Sequence, residues 1–152
     1  MVRWPKTVLA TGLAIGILAL AGCAADPDVS GLESSLGGID GVSGADVSVA
    51  HSNGPWQTQI NVLLFVDDPS IAAVAEVVRQ AAPVLAADPA SSAREVSIVA
   101  IDGDPAELTT RSEALAAHAP VMKSVGEDLG LDNRSTQWLT LSPADVEQLT
   151  AG

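Results

Sequence analysis

The spacing of hydrophobic residues along this chain changes several times. In some segments every second residue is apolar, as in a strand, and in others every third or fourth, as in a helix. From residue 47 to residue 66, apolar and polar side chains alternate on both sides of a turn at Ser52-Asn53-Gly54-Pro55. Alternation around such a turn is typical of a β-hairpin, so strands are expected at 45–51 and 56–66. Helical spacing follows, carried by Ile71, Val74, Ala75, Val78, Ala82 and Leu85.

Strand and helix signals continue to alternate along the rest of the chain. Residues 95–102 are rich in β-branched side chains and predict a buried strand. The other expected elements are helices at 28–36, 69–87 and 143–149, a helical region at 105–129 that is divided at Pro120, and a short strand at 136–141.

Three strand-to-helix junctions share one local pattern. An apolar strand end is followed by Asp or Ser and then Pro, at Asp68-Pro69, Asp104-Pro105 and Ser142-Pro143. We expect the Asp or Ser to cap the helix and the Pro to occupy its first position. Because Leu63 and Phe65 are apolar on the second face of their strand, that strand is expected to be central. The order predicts an α+β (α/β) fold, a two-layer sandwich with a mixed sheet of about four strands and helices on one face.

The amino-terminal 25 residues differ in character from the rest. Arg3 and Lys6 precede an uncharged stretch at 7–25 that contains a dense apolar run, which is typical of a secretory signal. The run ends in Leu20-Ala21-Gly22-Cys23, an aliphatic residue, two small residues and the only cysteine of the chain. This segment resembles the lipobox of bacterial lipoproteins. A transmembrane anchor stays open as an alternative, because nineteen uncharged residues are just long enough to span a bilayer.

The lipobox resemblance implies a division of the chain into three parts. These are a helical signal peptide at 1–22, a lipidated tether at 23–30 and a single α/β domain at 31–152. It further implies that a diacylglycerol is attached to the Cys23 thiol and that a peptidase cuts between Gly22 and Cys23. Acyl chains such as palmitate would then hold the protein at the extracytoplasmic face of the cell membrane.

The charge of the chain argues against nucleic acid as a partner. The formal net charge is −12, whereas phosphate backbones are bound by Lys and Arg. Cleavage after residue 22 would leave 5 basic and 19 acidic residues, and so a net charge of −14. Since anionic lipid headgroups repel an acidic domain, we expect the domain to be held to the membrane by the lipid on Cys23 alone.

The element order also resembles that of a known domain family. The expected order α-β-β-α-β over about residues 28–102, with spaced residues such as Gly41-Val42, is similar to the BON domain. The resemblance covers about half of the chain and leaves the region 105–129 outside it. It implies a role in phospholipid or envelope attachment.

Catalytic patterns are not evident in the sequence. Gly41-Val42-Ser43-Gly44-Ala45 approaches a nucleophile elbow, but it lacks the final Gly and precedes a strand. His51 is expected at the hairpin turn and His118 near a helix break, and a Ser-His-Asp triad would require one of them to be oriented by a carboxylate. We therefore expect no catalytic residue, although a dispersed active site stays open as an alternative.

Metal and cofactor sites are also not predicted. Asp102, Asp104 and Glu113 match positions 1, 3 and 12 of a calcium-binding loop, but Glu107 stands where that loop requires Gly. We instead expect Asp104 and Glu107 to form the capping box of a helix. No metal ligand and no cofactor are expected.

The remaining candidates are partner surfaces. Trp56 and Trp138 lie beside Gln and Thr in expected strands, and both are expected in the core because Trp is highly buried on average. If exposed, they are candidate contacts for an envelope protein partner. The sequence thus predicts an envelope lipoprotein that is a non-enzymatic interaction or scaffold module. The alternatives are a small-ligand-binding lipoprotein and an enzyme or enzyme subunit.

Overall fold

A computed structural model describes residues 25–52, 54, 57–108, 110–119 and 121–152. The predicted signal peptide, Gly22, Cys23, Trp56 and Pro120 lie outside these described residues. The elements are, in chain order, α1 Ser30–Leu36, β1 Val42–His51, β2 Thr58–Val66, α2 Ile71–Ala87, β3 Val96–Asp102, α3 Arg111–Ala116, α4 Met122–Asp128, β4 Leu139–Leu141 and α5 Pro143–Ala151.

The four strands form one mixed sheet in the order β1-β2-β3-β4. The pairs β1/β2 and β3/β4 are antiparallel, whereas β2 and β3 are parallel and are connected through α2. The prediction that β2 is a central strand is therefore confirmed. The mixed four-stranded sheet with helices packed on it confirms the predicted α+β class. The order α1-β1-β2-α2-β3 is also the expected one, while membership of the BON family stays a prediction.

Alternation along the strands gives the sheet two unlike faces. The first face carries the even-numbered apolar residues of β2, which pack with α1, α2, α4 and α5 into the main core. The second face carries Leu63 and Phe65 of β2 beside Val99 and Ile101 of β3, and these pack against Ala114 of α3. The expectation of helices on one face thus holds for four helices, and the short α3 lies on the other.

The exposed edge of β1 is partly covered by α1. The Glu33 carboxylate accepts a hydrogen bond from the Val47 backbone amide at 3.2 Å. Leu32 and Leu36, on the same helix, are buried in the main core. Since an unpaired strand edge invites pairing with other chains, α1 shields this part of the sheet.

The predicted helix caps are correct at one junction and wrong at two. Ser142 caps α5 with Pro143 in the first turn, as expected, and forms a capping box with Asp145. At α2 the cap is Ser70 rather than Asp68, whose carboxylate instead accepts from the Ser70 amide at 2.9 Å. The expected box of Asp104 and Glu107 is also wrong, because Thr110 and Glu113 form the box that begins α3.

Replacement of Ser142 by alanine tests the one cap that the sequence identified. Its hydroxyl accepts from the Asp145 amide at 3.2 Å and donates to the Asp145 carboxylate at 2.7 Å. We expect Ser142→Ala to lower the free energy of unfolding by about 0.5–2 kcal/mol in denaturant titrations, since the first-turn amide loses its acceptor. Ser92→Ala, at an exposed turn position, is the control and should change it by less than about 0.5 kcal/mol. Equal losses in the two variants would contradict the capping role.

Candidate functional site

On the second face of the sheet, the side chains of β2 and of β3 change from apolar to polar at the same position along the two paired strands. Leu63 of β2 and Val99 of β3 are in register, and two residues earlier Asn61 is in register with Ser97. The apolar pair is buried, whereas Asn61 and Ser97 are only half-buried. The cover provided by α3 therefore ends between these two levels.

A groove opens where that cover ends, with a volume of about 370 Å³. Asn61, Leu63, Ser97 and Val99 contribute to its floor from β2 and β3. One wall belongs to α3 and the turn after it, and the other to the segment before β4. The wall residues are Arg111, Leu115, His118, Gln137 and Trp138.

Trp138 is exposed, so the expectation that it lies in the core is wrong. Its exposed fraction is 45%. The strand predicted at 136–141 begins only at Leu139, and Leu139 and Leu141 are fully buried in the main core. Trp138 immediately precedes this strand, and it lines the groove together with Leu63 and Val99 of the second face. Trp56, the other candidate contact, lies outside the described residues.

Two of the exposed large hydrophobic side chains line this groove. Among the described residues, the large apolar side chains with exposed fractions above 40% are Ile71, Leu115 and Trp138. Leu115 and Trp138 belong to opposite walls of the groove. Paired exposed apolar groups in a concave site are typical of binding surfaces.

The wall that carries Trp138 is held in place by Asn133. The Asn133 side-chain amide lies 3.0 Å from each of three carbonyl oxygens, those of Met122, Ser135 and Trp138. The Ser135 hydroxyl also accepts from the Trp138 backbone amide at 3.3 Å. These contacts fix a segment that has no regular secondary structure, so Trp138 is presented on an ordered wall.

An ion pair joins α3 to the sheet at the groove. The Arg111 guanidinium donates to the Asp46 carboxylate of β1. Both side chains are partly exposed, so solvent weakens the pair and its contribution to stability is small. Its consequence for the site is that the Arg111 guanidinium already has a carboxylate partner.

The two histidines have different surroundings, and neither forms a triad with the described residues. The His118 Nδ1 lies 2.9 Å from the Leu115 carbonyl oxygen, and the His51 Nε2 lies 2.9 Å from the Asp26 carboxylate. Neither ring has a hydrogen bond to a described serine hydroxyl, and the Ser43 hydroxyl donates to the Phe65 carbonyl at 3.3 Å. The geometry that a Ser-His-Asp site requires is therefore absent from this part of the chain.

The carboxylates that resembled a calcium loop have structural roles. The Asp104 carboxylate accepts from the Ala106 amide at 2.7 Å, and the Glu113 carboxylate accepts from the Thr110 amide at 3.0 Å. Within the described ranges, no cluster of three or more His, Cys, Asp or Glu side chains could hold a metal ion.

The described part of the predicted tether is bound to the domain. Asp26 contacts His51 at the end of β1, and Val29 packs against the main core. The Ser30 backbone amide and hydroxyl donate to the Asp28 carboxylate at 3.0 and 2.8 Å and hold its pKa below the ordinary value. This stabilisation is complete above the ordinary carboxyl pKa and is lost as the pH falls through the lowered one.

Comparison with protein-family models, characterised proteins and solved structures found no match to this chain. None of the helices in the described ranges is long and apolar enough to cross a membrane. The lipobox residues Gly22 and Cys23 lie outside those ranges.

Proposed function

We propose that the chain is a lipid-anchored lipoprotein of the bacterial cell envelope, with a non-enzymatic binding domain on the extracytoplasmic face of the membrane. The observation that carries the anchor is Leu20-Ala21-Gly22-Cys23 at the end of an uncharged apolar run. The only cysteine of the chain stands where the lipidated cysteine of a lipobox would be. Two or more acyl chains are sufficient for stable attachment to a membrane.

The contact between Asp26 and His51 gives the anchored domain an orientation. Asp26 is three residues from Cys23, so a fully extended connection spans only about 10 Å. Asp26 lies against His51 at the end of β1. A lipid on Cys23 would therefore bring the end of the sheet that carries His51 close to the membrane.

The binding function is assigned to the groove between α3 and the segment before β4. Leu115 and Trp138 expose apolar surface on its two walls, and the described residues around it include no triad. Exposed Trp is enriched at the centres of binding sites, which supports an interaction module for an envelope protein partner. The groove volume of about 370 Å³ falls in the usual range for small-ligand sites, which supports a small-ligand-binding lipoprotein as the second candidate.

The anchor is tested by metabolic labelling with a radioactive fatty acid in a bacterial host. We expect the wild-type chain to incorporate the label and Cys23→Ser to lose it completely, because a hydroxyl cannot replace the thiol that receives the diacylglycerol. Ala24→Ser is the matched control, since it introduces the same residue at the neighbouring position, and it should retain the label. Label on Cys23→Ser would refute the lipoprotein proposal.

A further inference from the structure

We propose that the groove binds a neutral, polyhydroxylated ligand, namely a short segment of a carbohydrate chain. This inference rests on the second candidate function, the small-ligand-binding lipoprotein, and gives that function a ligand class. It is argued from the charge of the groove, from the polar side chains of its floor and wall, and from the exposed ring of Trp138.

The charged groups of the groove do not favour an ionic ligand. Among the described residues, Arg111 is the only Lys or Arg that lines it, and its guanidinium is already paired with Asp46. A phosphate or carboxylate would have to compete with Asp46, and a cation would have to compete with Arg111. The acidic character of the whole chain, with a net charge of −12, disfavours anions further. A neutral ligand avoids each of these costs.

The polar side chains of the groove favour a ligand with many hydroxyl groups. Asn61, Ser97 and Gln137 have no side-chain hydrogen bond to another described residue, and Asn61 and Ser97 are half-buried on the floor. Amide and hydroxyl groups both donate and accept, as the hydroxyls of a sugar do. A purely apolar ligand would displace water and leave these groups unpaired, at a cost of about 1–3 kcal/mol for each.

His118 adds a polar ring nitrogen to the wall. Its Nδ1 contacts the Leu115 carbonyl oxygen, which can only accept, so Nδ1 carries the proton. Nε2 is then an acceptor in a ring with one proton and a donor in a ring with two, and a sugar hydroxyl can pair with either.

The exposed ring of Trp138 provides the apolar part of such a site. The face of an aromatic ring carries partial negative charge, and it attracts the polarised C–H groups on the flat side of a sugar ring. The Asn133 contacts already hold this wall, so little ordering of the segment is needed when a ligand binds.

A peptide segment fits the groove less well than a carbohydrate. Extended peptides are usually bound through main-chain hydrogen bonds to the edge of a sheet. The floor of this groove is a sheet face, and the backbone groups of β2 and β3 there are used in the parallel ladder. On this floor a ligand can reach only side chains, of which Asn61 and Ser97 match hydroxyl groups.

The test is saturation-transfer NMR with the full chain in a polyoxyethylene detergent, which has no sugar headgroup. The probes are neutral tetrasaccharides of glucose, mannose, galactose, arabinose and N-acetylglucosamine, with tetragalacturonate as the anionic probe and an uncharged Ser/Thr/Asn-containing hexapeptide as the peptide probe. We expect transfer to at least one neutral tetrasaccharide, and an affinity at least about fivefold lower for Trp138→Ala. Ile71→Ala is the matched control, because Ile71 is similarly exposed but lies outside the groove.

Three outcomes would overturn the carbohydrate proposal. They are no transfer to any neutral tetrasaccharide, stronger binding of tetragalacturonate or of the hexapeptide, and equal losses in Trp138→Ala and Ile71→Ala. Asn61→Ala provides a second variant, because loss of its amide should weaken binding even if Trp138→Ala fails to fold. None of these outcomes affects the fatty-acid labelling of Cys23, so failure of the ligand proposal and failure of the anchor proposal are distinguishable.

Discussion

Replacement of Leu64 by alanine should remove a large part of the stability of this domain. Leu64 lies on the central strand β2, is 1% exposed and packs in the main core between the sheet and its helices. Truncation of a buried Leu to Ala loses its burial and leaves a cavity, at a cost of about 2–5 kcal/mol. Since a domain is typically stable by about 5–15 kcal/mol, we expect a clear fall in the midpoint of chemical and thermal unfolding.

The same substitution at Leu115 is the matched control. Leu115 is 42% exposed on the wall of the groove, so Leu115→Ala should change the free energy of unfolding by less than about 1 kcal/mol. The comparison is made by denaturant titration followed by circular dichroism. A loss at Leu64 no larger than that at Leu115 would contradict the assignment of the main core to the first face of the sheet.

The spacing of hydrophobic residues was sufficient to predict the order of helices and strands, because each helix or strand buries one set of regularly spaced side chains. The β2 strand alternates, and both of its faces become apolar toward its end, which marked it as central. Gly130 follows Leu129, the C-cap of α4, and its φ of +73° favours glycine there. The amides of Gly130 and Leu131 donate to the carbonyls of Glu127 and Gly126, which closes the helix end.

Local cap signals were ambiguous where several capping residues lie close together. Asp68 and Ser70 are both good caps, and the pattern alone favoured the one before Pro69. In the structure the Asp68 carboxylate accepts from the Ser70 amide, and the chain turns once more before α2 begins. A short window of sequence therefore does not decide between two capping residues that lie this close together.

The groove was predictable only in part. The change from Asn61 to Leu63 and the same change from Ser97 to Val99 are visible in the sequence, and they indicate where cover on the second face ends. Their alignment at one level depends on the register of β2 with β3, and the wall depends on α3 crossing to the second face. Both are long-range features, so Trp138 was expected to be buried when it is in fact exposed.

Replacement of Gly126 and of Gly31 by alanine should change the free energy of unfolding in opposite directions. In the middle of α4, a Cβ atom on Gly126 would lie 2.6 Å from the Asn133 Cβ and 3.4 Å from a Leu139 methyl group. A Cβ on Gly31, in α1, would meet nothing within 4 Å. Alanine is preferred to glycine in helices by about 1 kcal/mol, so its effect is decided by the space that each site offers.

For Gly31→Ala we expect a gain of about 0.5–1 kcal/mol in the free energy of unfolding, since only the helix preference acts there. For Gly126→Ala we expect a net loss of about 1–3 kcal/mol, because Asn133 must move and the overlap exceeds the helix preference. Asn133 holds the carbonyls of Ser135 and Trp138, so its displacement should also loosen the wall of the groove. Amide hydrogen exchange measures this, and we expect faster exchange at the Trp138 amide in Gly126→Ala but not in Gly31→Ala. Stabilisation by both substitutions would mean that α4 does not approach the Asn133 segment as closely as the structure places it.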